Sequence, residues 1–116
     1  MDDSSISKYF KQGDYSKVIS IAKALDIEDE KNVESIKIAA LAHMNMRQYQ
    51  EAIHYFEKLL ALNNNDPTLY NSLGVVYLEA KNWKCALRSF LRALKINKNY
   101  VDGIFNLALL YHRTGK

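Results

Sequence analysis

The sequence predicts an all-α protein built from repeated pairs of helices, and three observations lead to this prediction. Glycine occurs four times and proline once among 116 residues, which is too few for the many turns of an all-β fold. Apolar residues recur every three or four positions, the spacing that places them on one face of a helix. The pattern of residue types also repeats every 34 residues without an insertion, so each repeat is expected to be one structural unit.

The 34-residue period is visible in seven columns of similar residues. Six of the columns contain only apolar or aromatic residues, the seventh contains glycine and basic residues, and the register holds from one end of the chain to the other. The columns are Tyr15, Tyr49 and Trp83; Val18, Ala52 and Ala86; Ala22, Phe56 and Phe90; Leu25, Leu59 and Ala93; Ile6, Ala40, Gly74 and Ala108; Tyr9, His43, Tyr77 and Tyr111; and Gly13, Arg47, Lys81 and Gly115.

Each repeat is predicted to contain two helices joined by a short polar turn. The helices are expected at about residues 4–12, 15–25, 31–46, 49–62, 67–81, 83–97 and 101–113. Asp66 can cap the fifth helix, and Pro67 suits its first turn because the missing N–H has no helical partner there. The predicted repeats span residues 1–32, 33–66 and 67–100, with the first helix of a fourth in 101–116; together they form one domain, 1–116.

Helices of this length are marginal on their own in water, so they are expected to be stabilised by stacking. The small residues Gly74 and Ala86 would let two helix backbones approach closely. The large side chains Tyr77, Trp83 and Phe90 would fill the spaces beside them.

The third repeat carries the clearest motif, which combines Tyr70, Leu73, Gly74 and Tyr77 with Trp83, Ala86, Phe90 and Ala93. Its spacing and the 34-residue period resemble the tetratricopeptide repeat (TPR) family over essentially the whole chain. The resemblance implies an α-α superhelix, or solenoid, of about three and a half helix-turn-helix repeats. It also implies a concave surface lined by the first helix of each repeat.

The same resemblance implies a partner-binding groove on that concave surface. The candidate groove residues are Phe10, Lys37, Ile38, Leu41, Met44, Asn71, Val75, Leu78, Phe105, Asn106, Leu109 and His112. Most are apolar, which favours an amphipathic helix or an extended apolar segment as ligand. Family members that bind chaperone C-terminal carboxylates use several lysines and asparagines and an arginine; here only Lys37 fits, and Leu41 replaces the expected asparagine. An additional helix of the chain itself remains an alternative occupant.

The sequence predicts a protein-interaction module or scaffold and not an enzyme. The three histidines, His43, His54 and His112, lie far apart, and the single Cys85 excludes a disulfide framework. No catalytic, metal-binding or cofactor motif is present. A competing hypothesis makes this chain the N-terminal regulatory TPR array of a longer enzyme, for example a glycosyltransferase.

Charge is distributed unevenly along the chain. Residues 1–66 contain eleven acidic and eight basic residues, whereas residues 67–116 contain two and eight. Lys84, Arg88, Arg92 and Lys95 form a basic stripe on one predicted helix face. The stripe is a solvated surface or binds an acidic partner such as nucleic acid, although a net charge of +3 disfavours nucleic acid. Self-association, through the terminal helix or between the basic half and the acidic segment 26–34, is a further alternative.

The two ends of the chain give additional expectations. The acidic, polar start is not typical of a signal peptide, and no apolar run is long enough to span a membrane. Together with the single cysteine, this predicts a cytoplasmic or other reducing intracellular location. The chain stops after an apolar helix, which predicts a fragment of a longer array or a terminal surface that pairs with another chain.

Overall fold

The computed structural model describes residues 3–115 and, within this range, contains seven α-helices, one short 3-10 helix and no strand. The α-helices are α1 (Asp3–Lys11), α2 (Tyr15–Ala22), α3 (Val33–Asn45), α4 (Tyr49–Leu62), α5 (Pro67–Glu79), α6 (Trp83–Ile96) and α7 (Val101–Thr114). The 3-10 helix is Glu30–Asn32. The predicted all-α repeat solenoid is therefore confirmed, with pairs of helices following the 34-residue period.

Short polar side chains begin several of these helices by accepting hydrogen bonds from free N–H groups. The Asp66 carboxylate accepts hydrogen bonds from Thr68 N at 2.9 Å and Thr68 Oγ1 at 2.6 Å, as predicted for the start of α5. Asp14 and Asn82, two periods apart, cap α2 and α6 by accepting from the N–H groups of Lys17 and Cys85. The period thus repeats the capping chemistry as well as the apolar pattern.

The turn after the first helix of each repeat contains a residue with left-handed backbone conformation. The φ angles are 77° at Gly13, 61° at Arg47, 63° at Lys81 and 77° at Gly115. These four positions lie 34 residues apart and form one of the columns identified in the sequence. Glycine adopts this conformation freely, whereas arginine and lysine do so at an energetic cost.

The second helix differs from its prediction because α2 ends at Ala22 and not near Leu25. Beyond Ala22 the backbone tightens: Ala24 N donates to Ile21 O and Leu25 N donates to Ala22 O, both three residues back. Such bonds are typical of a last helical turn that closes before an irregular segment. The acidic segment 26–34 follows directly and contains the 3-10 helix.

Backbone contacts group the chain into two compact units, Met1–Leu62 and Asn63–Lys116. That residues 1–116 form one domain stays a prediction. In the first unit α2 packs against α1 and α3 around an apolar core. The buried members of this core are Ile6, Val18, Ile19, Ala22, Ala39 and Ala42.

In the second unit α6 and α7 both pack against α5, and the core contains Leu78, Ala86, Phe90 and Leu110. Gly74 lies under the ring of Phe90: a Cβ atom at this glycine would be 2.6 Å from Phe90 Cδ1 and 3.0 Å from Cζ. The close neighbour of Gly74 is therefore the side chain of Phe90. The sequence had instead predicted a close approach of two helix backbones at Gly74 and Ala86. Trp83, predicted to fill the space between helices, is instead 37% exposed.

None of the helices in the described range has the length and apolar content needed to cross a membrane.

Candidate partner-binding surface

The twelve candidate groove residues lie on the first helices of the repeats, and each compact unit contains part of the set. In the first unit they are Phe10 on α1 and Lys37, Ile38, Leu41 and Met44 on α3. In the second unit they are Asn71, Val75 and Leu78 on α5 and Phe105, Asn106, Leu109 and His112 on α7.

The apolar candidates of the first unit are partly covered by their own core. Phe10 and Ile38 are half-buried and pack against the apolar core of the first unit. The centroid of the Phe10 ring lies 5.5 Å from that of the Tyr15 ring. Leu41 and Met44 are also half-buried. A ligand on this surface would thus meet the edges of apolar side chains.

Lys37 is the basic residue among the candidate groove residues of the first unit, and it already forms an ion pair. Its Nζ atom is 3.5 Å from Glu34 Oε1, one turn earlier on α3. The Glu34 side chain is 80% exposed, so solvent screens the pair and its contribution to stability is small. An incoming anion would nevertheless have to compete with this carboxylate.

In the second unit, Phe105 is the most exposed apolar candidate, with 66% of its surface accessible. Val75 and Leu109 are half-buried against the core, so each presents only part of its side chain. Leu78 does not belong to the surface: it is 2% exposed, and its prediction as a groove residue is wrong. Leu78 is buried because α5 is packed against both α6 and α7 and it joins the core they form.

Two asparagines connect α5 with α7 at this surface. Asn106 Nδ2 donates a hydrogen bond to Asn71 Oδ1 at 3.1 Å, and Asn71 is only 8% exposed. The Asn71 side chain also hydrogen-bonds the Tyr100 hydroxyl. A buried amide must find partners, so this pair fixes how the two helices align. The sequence placed both residues on the surface but did not reveal that they bind each other.

Burial raises the pKa of Tyr100, and the nearby carboxylates of Asp102 and Asp66 raise it further. The hydrogen bond with Asn71 acts in the opposite direction and lowers it. The neutral phenol is therefore the form that this environment stabilises.

Charged side chains lie at the C-terminal ends of α5 and α7. Arg113 Nη1 is 3.7 Å from Glu79 Oε1, and both side chains are more than a third exposed. His112, the last candidate, is exposed beside them. The surface of the second unit therefore has an exposed aromatic ring and half-buried aliphatic side chains, with a polar and charged end.

The other chemically interesting residues have structural explanations. His43 is 6% exposed, its Nδ1 atom is 2.8 Å from Gln48 Oε1, and its ring stacks on Tyr55. His43 is therefore an interior histidine with a hydrogen-bonding and a stacking partner. Cys85 is half-buried on α6. Among residues 3–115, no three His, Cys, Asp or Glu side chains approach closely enough to hold a metal ion.

The basic stripe is confirmed as an exposed surface of α6. Lys84, Arg88, Arg92 and Lys95 are all exposed, and in the described part of the chain none of them forms an ion pair. The Arg92 guanidinium lies 5.5 Å from the ring centroid of Tyr70, close enough for a cation–π contact. Acidic side chains of the described residues therefore do not neutralise the basic stripe.

Comparison with known proteins gives consistent matches. The family model described as Tetratricopeptide repeat matches residues 34–66. Human serine/threonine-protein phosphatase 5 is 26% identical over 86 residues, which are 74% of this chain but only 17% of the phosphatase. Among solved structures, MamA is 25% identical with a TM-score of 0.81, covering 99% of this chain and 66% of MamA. The first TPR of Spaghetti (RPAP3), bound to an HSP90 peptide, is 19% identical with a TM-score of 0.84, covering 98% and 90%.

Proposed function

Because the chain belongs to the tetratricopeptide repeat family, we propose that it is a protein-interaction module that binds a peptide or helix of a partner protein on the first helices of its repeats. One observation carries this proposal: the ring of Phe105 is 66% exposed beside half-buried Leu109. Apolar surface of this kind gains free energy when a ligand removes it from water. Aromatic residues also contribute disproportionately to protein-protein binding.

The side chains favour an apolar ligand over an acidic one. The related RPAP3 domain was solved with the HSP90 peptide SRMEEVD, which has two glutamates and an aspartate. In this chain Lys37 is paired with Glu34, and the candidate residues around it are aliphatic. We therefore expect the ligand to be an amphipathic helix or an extended segment whose apolar side chains pack against Phe105 and Leu109.

The proposal can be tested with one substitution on the surface and one matched control. Phe105→Glu places a charge where an apolar ligand side chain would pack. Leu91→Glu is the control, because Leu91 is an exposed apolar residue of α6, 47% exposed, outside the candidate surface. Partners are recovered by affinity purification with the wild-type protein, and the bound segment is then measured as a purified peptide by titration calorimetry.

We expect Phe105→Glu to weaken peptide binding by about tenfold or more, the loss typical of an interface hot spot. Leu91→Glu should bind like the wild type, and circular dichroism should show equal helicity for all three proteins. Unchanged binding by a folded Phe105→Glu protein would contradict the proposal.

The unpaired basic stripe supports a second candidate, an acidic partner on α6. Arg88→Glu combined with Arg92→Glu would then abolish binding, and affinity would fall steeply with salt because many counterions are released. Binding that survives this double reversal and depends weakly on salt favours the apolar surface.

The match to phosphatase 5 over a small part of that protein supports a third candidate, in which this chain is the TPR array of a longer enzyme. Sequencing the full reading frame distinguishes this candidate, because a catalytic domain would lie outside the 116 residues.

A further inference from the structure

A small cavity lies between α5 and α6 of the second unit, and its lining includes none of the candidate groove residues. Its volume is about 250 Å³, below the ~300–1,000 Å³ of clefts that hold drug-sized ligands, so its occupant must be small. Apolar and aromatic side chains of α5 form one wall, and polar side chains of α6 form the other. The wall residues are Tyr70, Leu73 and Tyr77 on α5, and Arg88, Ser89 and Arg92 on α6.

The cavity lies where the preceding repeat has an aromatic ring. Ser89 follows Tyr55 by 34 residues, and Tyr77 follows His43 by the same number. In the second repeat the rings of Tyr55 and His43 stack with their centroids 5.4 Å apart. Because serine replaces Tyr55 in the third repeat, the space beside Tyr77 is left open. This space therefore suits one aromatic ring of a ligand.

The hydroxyl of Ser89 is a buried polar group directed into this space. Ser89 is 7% exposed, and its side chain forms no hydrogen bond among residues 3–115. In the same range every polar side-chain atom that is fully buried has a partner, so the Ser89 Oγ atom must border the open space of the cavity. A ligand in the cavity would supply the hydrogen-bond partner that a buried hydroxyl requires.

Two arginines give the cavity its charge. Arg88 and Arg92 are one helical turn apart on α6, and like charges at this spacing repel each other. Neither forms an ion pair in the described part of the chain, and the sequence has no acidic residue between Glu79 and Asp102. The Arg92 guanidinium is held against the ring of Tyr70, 5.5 Å from its centroid. An anion bound by both arginines would remove their repulsion and form charge-assisted hydrogen bonds.

We propose that this cavity binds a phosphate group carried on an aromatic ring. The ring lies beside Tyr77, as Tyr55 lies beside His43, and the phosphate lies at the two arginines. A phosphate monoester has three terminal oxygens and a charge of about −1.5 to −2 at pH 7, so two guanidinium groups and the Ser89 hydroxyl can bind one oxygen each. A carboxylate has only two oxygens and a single charge, and it would leave one of these donors without a partner.

The first test uses Cys85 to report whether the cavity is occupied. Cys85 is the single cysteine of the sequence, and it is half-buried in the lining of this cavity. The rate of its alkylation by iodoacetamide is measured with increasing phenyl phosphate at constant ionic strength. We expect saturable protection, and weaker protection by inorganic phosphate or benzoate, because each supplies only part of the ligand. Absence of protection by phenyl phosphate, or equal protection by inorganic phosphate or benzoate, would overturn the proposal.

The second test compares two double substitutions by titration calorimetry with phenyl phosphate. Arg88→Gln combined with Arg92→Gln should weaken binding by about tenfold or more, the loss expected for charge-assisted hydrogen bonds. Lys84→Gln combined with Lys95→Gln is the matched control. It removes the same charge from the basic stripe, but neither lysine lines the cavity, so the affinity should change little. Equal losses in the two double variants would show that the positive charge of the whole stripe attracts the ligand, which would overturn the proposal.

The third test fills the cavity. Ser89→Tyr introduces the ring that the second repeat has at this position and should abolish binding of phenyl phosphate. Ser89→Ala keeps the space but removes the hydroxyl, and it should weaken binding less. Circular dichroism verifies that both variants have the helicity of the wild type. A folded Ser89→Tyr protein that binds phenyl phosphate like the wild type would contradict the assigned site.

A free aryl phosphate and a phosphotyrosine side chain share this chemistry, and a peptide with phosphotyrosine between two glycines distinguishes them. Binding as tight as that of phenyl phosphate supports a phosphorylated partner, whereas weaker binding supports a free small molecule. These measurements do not involve Phe105. Their failure therefore leaves the proposed function intact, and unchanged peptide binding by Phe105→Glu leaves the cavity proposal intact.

Discussion

Replacing Gly74 by alanine tests the packing of the second unit most sharply, because two effects of opposite sign compete there. The new Cβ atom would lie 2.6 Å from Cδ1 and 3.0 Å from Cζ of Phe90. Real Cβ atoms do not approach ring carbons this closely, so the ring or the helix must move. Phe90 is 0% exposed and belongs to the core with Leu78, Ala86 and Leu110, so its ring has no open space to enter.

The two effects can be compared in magnitude. Alanine is favoured over glycine inside a helix by about 1 kcal/mol. Forcing an extra carbon into a packed core costs about 1–3 kcal/mol. Since Phe90 is fully buried, we expect the cost to lie in the upper half of this range. The net effect of Gly74→Ala is then a loss of about 1–2 kcal/mol in unfolding free energy, or several degrees in Tm.

The assay is urea unfolding followed by circular dichroism, in the wild type and in a Phe90→Leu background. The smaller leucine leaves room for the new methyl group, so in that background Gly74→Ala should stabilise the protein through helix propensity alone. The change of sign between the two backgrounds is the signature of the ring contact. A Gly74→Ala protein as stable as the wild type in the Phe90 background would refute the assigned contact.

Three further predictions concern backbone, caps and protonation. Lys81→Gly should raise the unfolding free energy by up to about 1 kcal/mol, because Lys81 has a φ of 63°; a Tm below that of the wild type would contradict this. Asp66→Ala removes the cap of α5 and should cost about 0.5–2 kcal/mol in urea unfolding, whereas Asp66→Asn, which can still accept the hydrogen bonds, should cost less. The raised pKa of Tyr100 means that the folded state holds this proton more tightly than the unfolded state, so its contribution is fully present below pH 10.0, the ordinary value, and is lost as the pH rises through the folded pKa. Tyr100→Phe should therefore lose less stability than the wild type above pH 10.0 in alkaline unfolding curves, and parallel curves would show that Tyr100 does not contribute.

The 34-residue period predicted the helices well because it records a local property, the spacing of apolar side chains along each helix. It predicted the turn positions equally well. Gly13 and Gly115 suggest a left-handed residue by their type, but Arg47 and Lys81 do so only through their place in the same column. The early end of α2 was not predicted, because Ile21 and Leu25 continue the apolar spacing beyond the last helical turn.

Burial was harder to predict, because it depends on what packs against a position and not on the position itself. Met44, Leu78 and His112 occupy one column, yet they are half-buried, buried and exposed, respectively. Leu78 joins a core formed by three helices, whereas His112 lies at the end of α7, where nothing in the described range covers it. A repeated sequence therefore identifies equivalent positions but does not tell which of them remain available to a partner.

The asparagine pair illustrates a second limit. Asn71 and Asn106 both looked like ligand contacts, since each is a polar residue on a first helix. In the structure they hydrogen-bond each other, which a column analysis misses because they lie 35 residues apart and not 34. Their pairing leaves Phe105 as the prominent side chain of this part of the surface.

The binding of a purified partner peptide to Phe105→Glu, with Leu91→Glu measured beside it, tests the central claim most directly. If the first helices form the binding surface, Phe105→Glu loses about tenfold or more in affinity while Leu91→Glu binds like the wild type. If Phe105→Glu retains its affinity and its helicity, the partner binds elsewhere and the proposed surface is wrong.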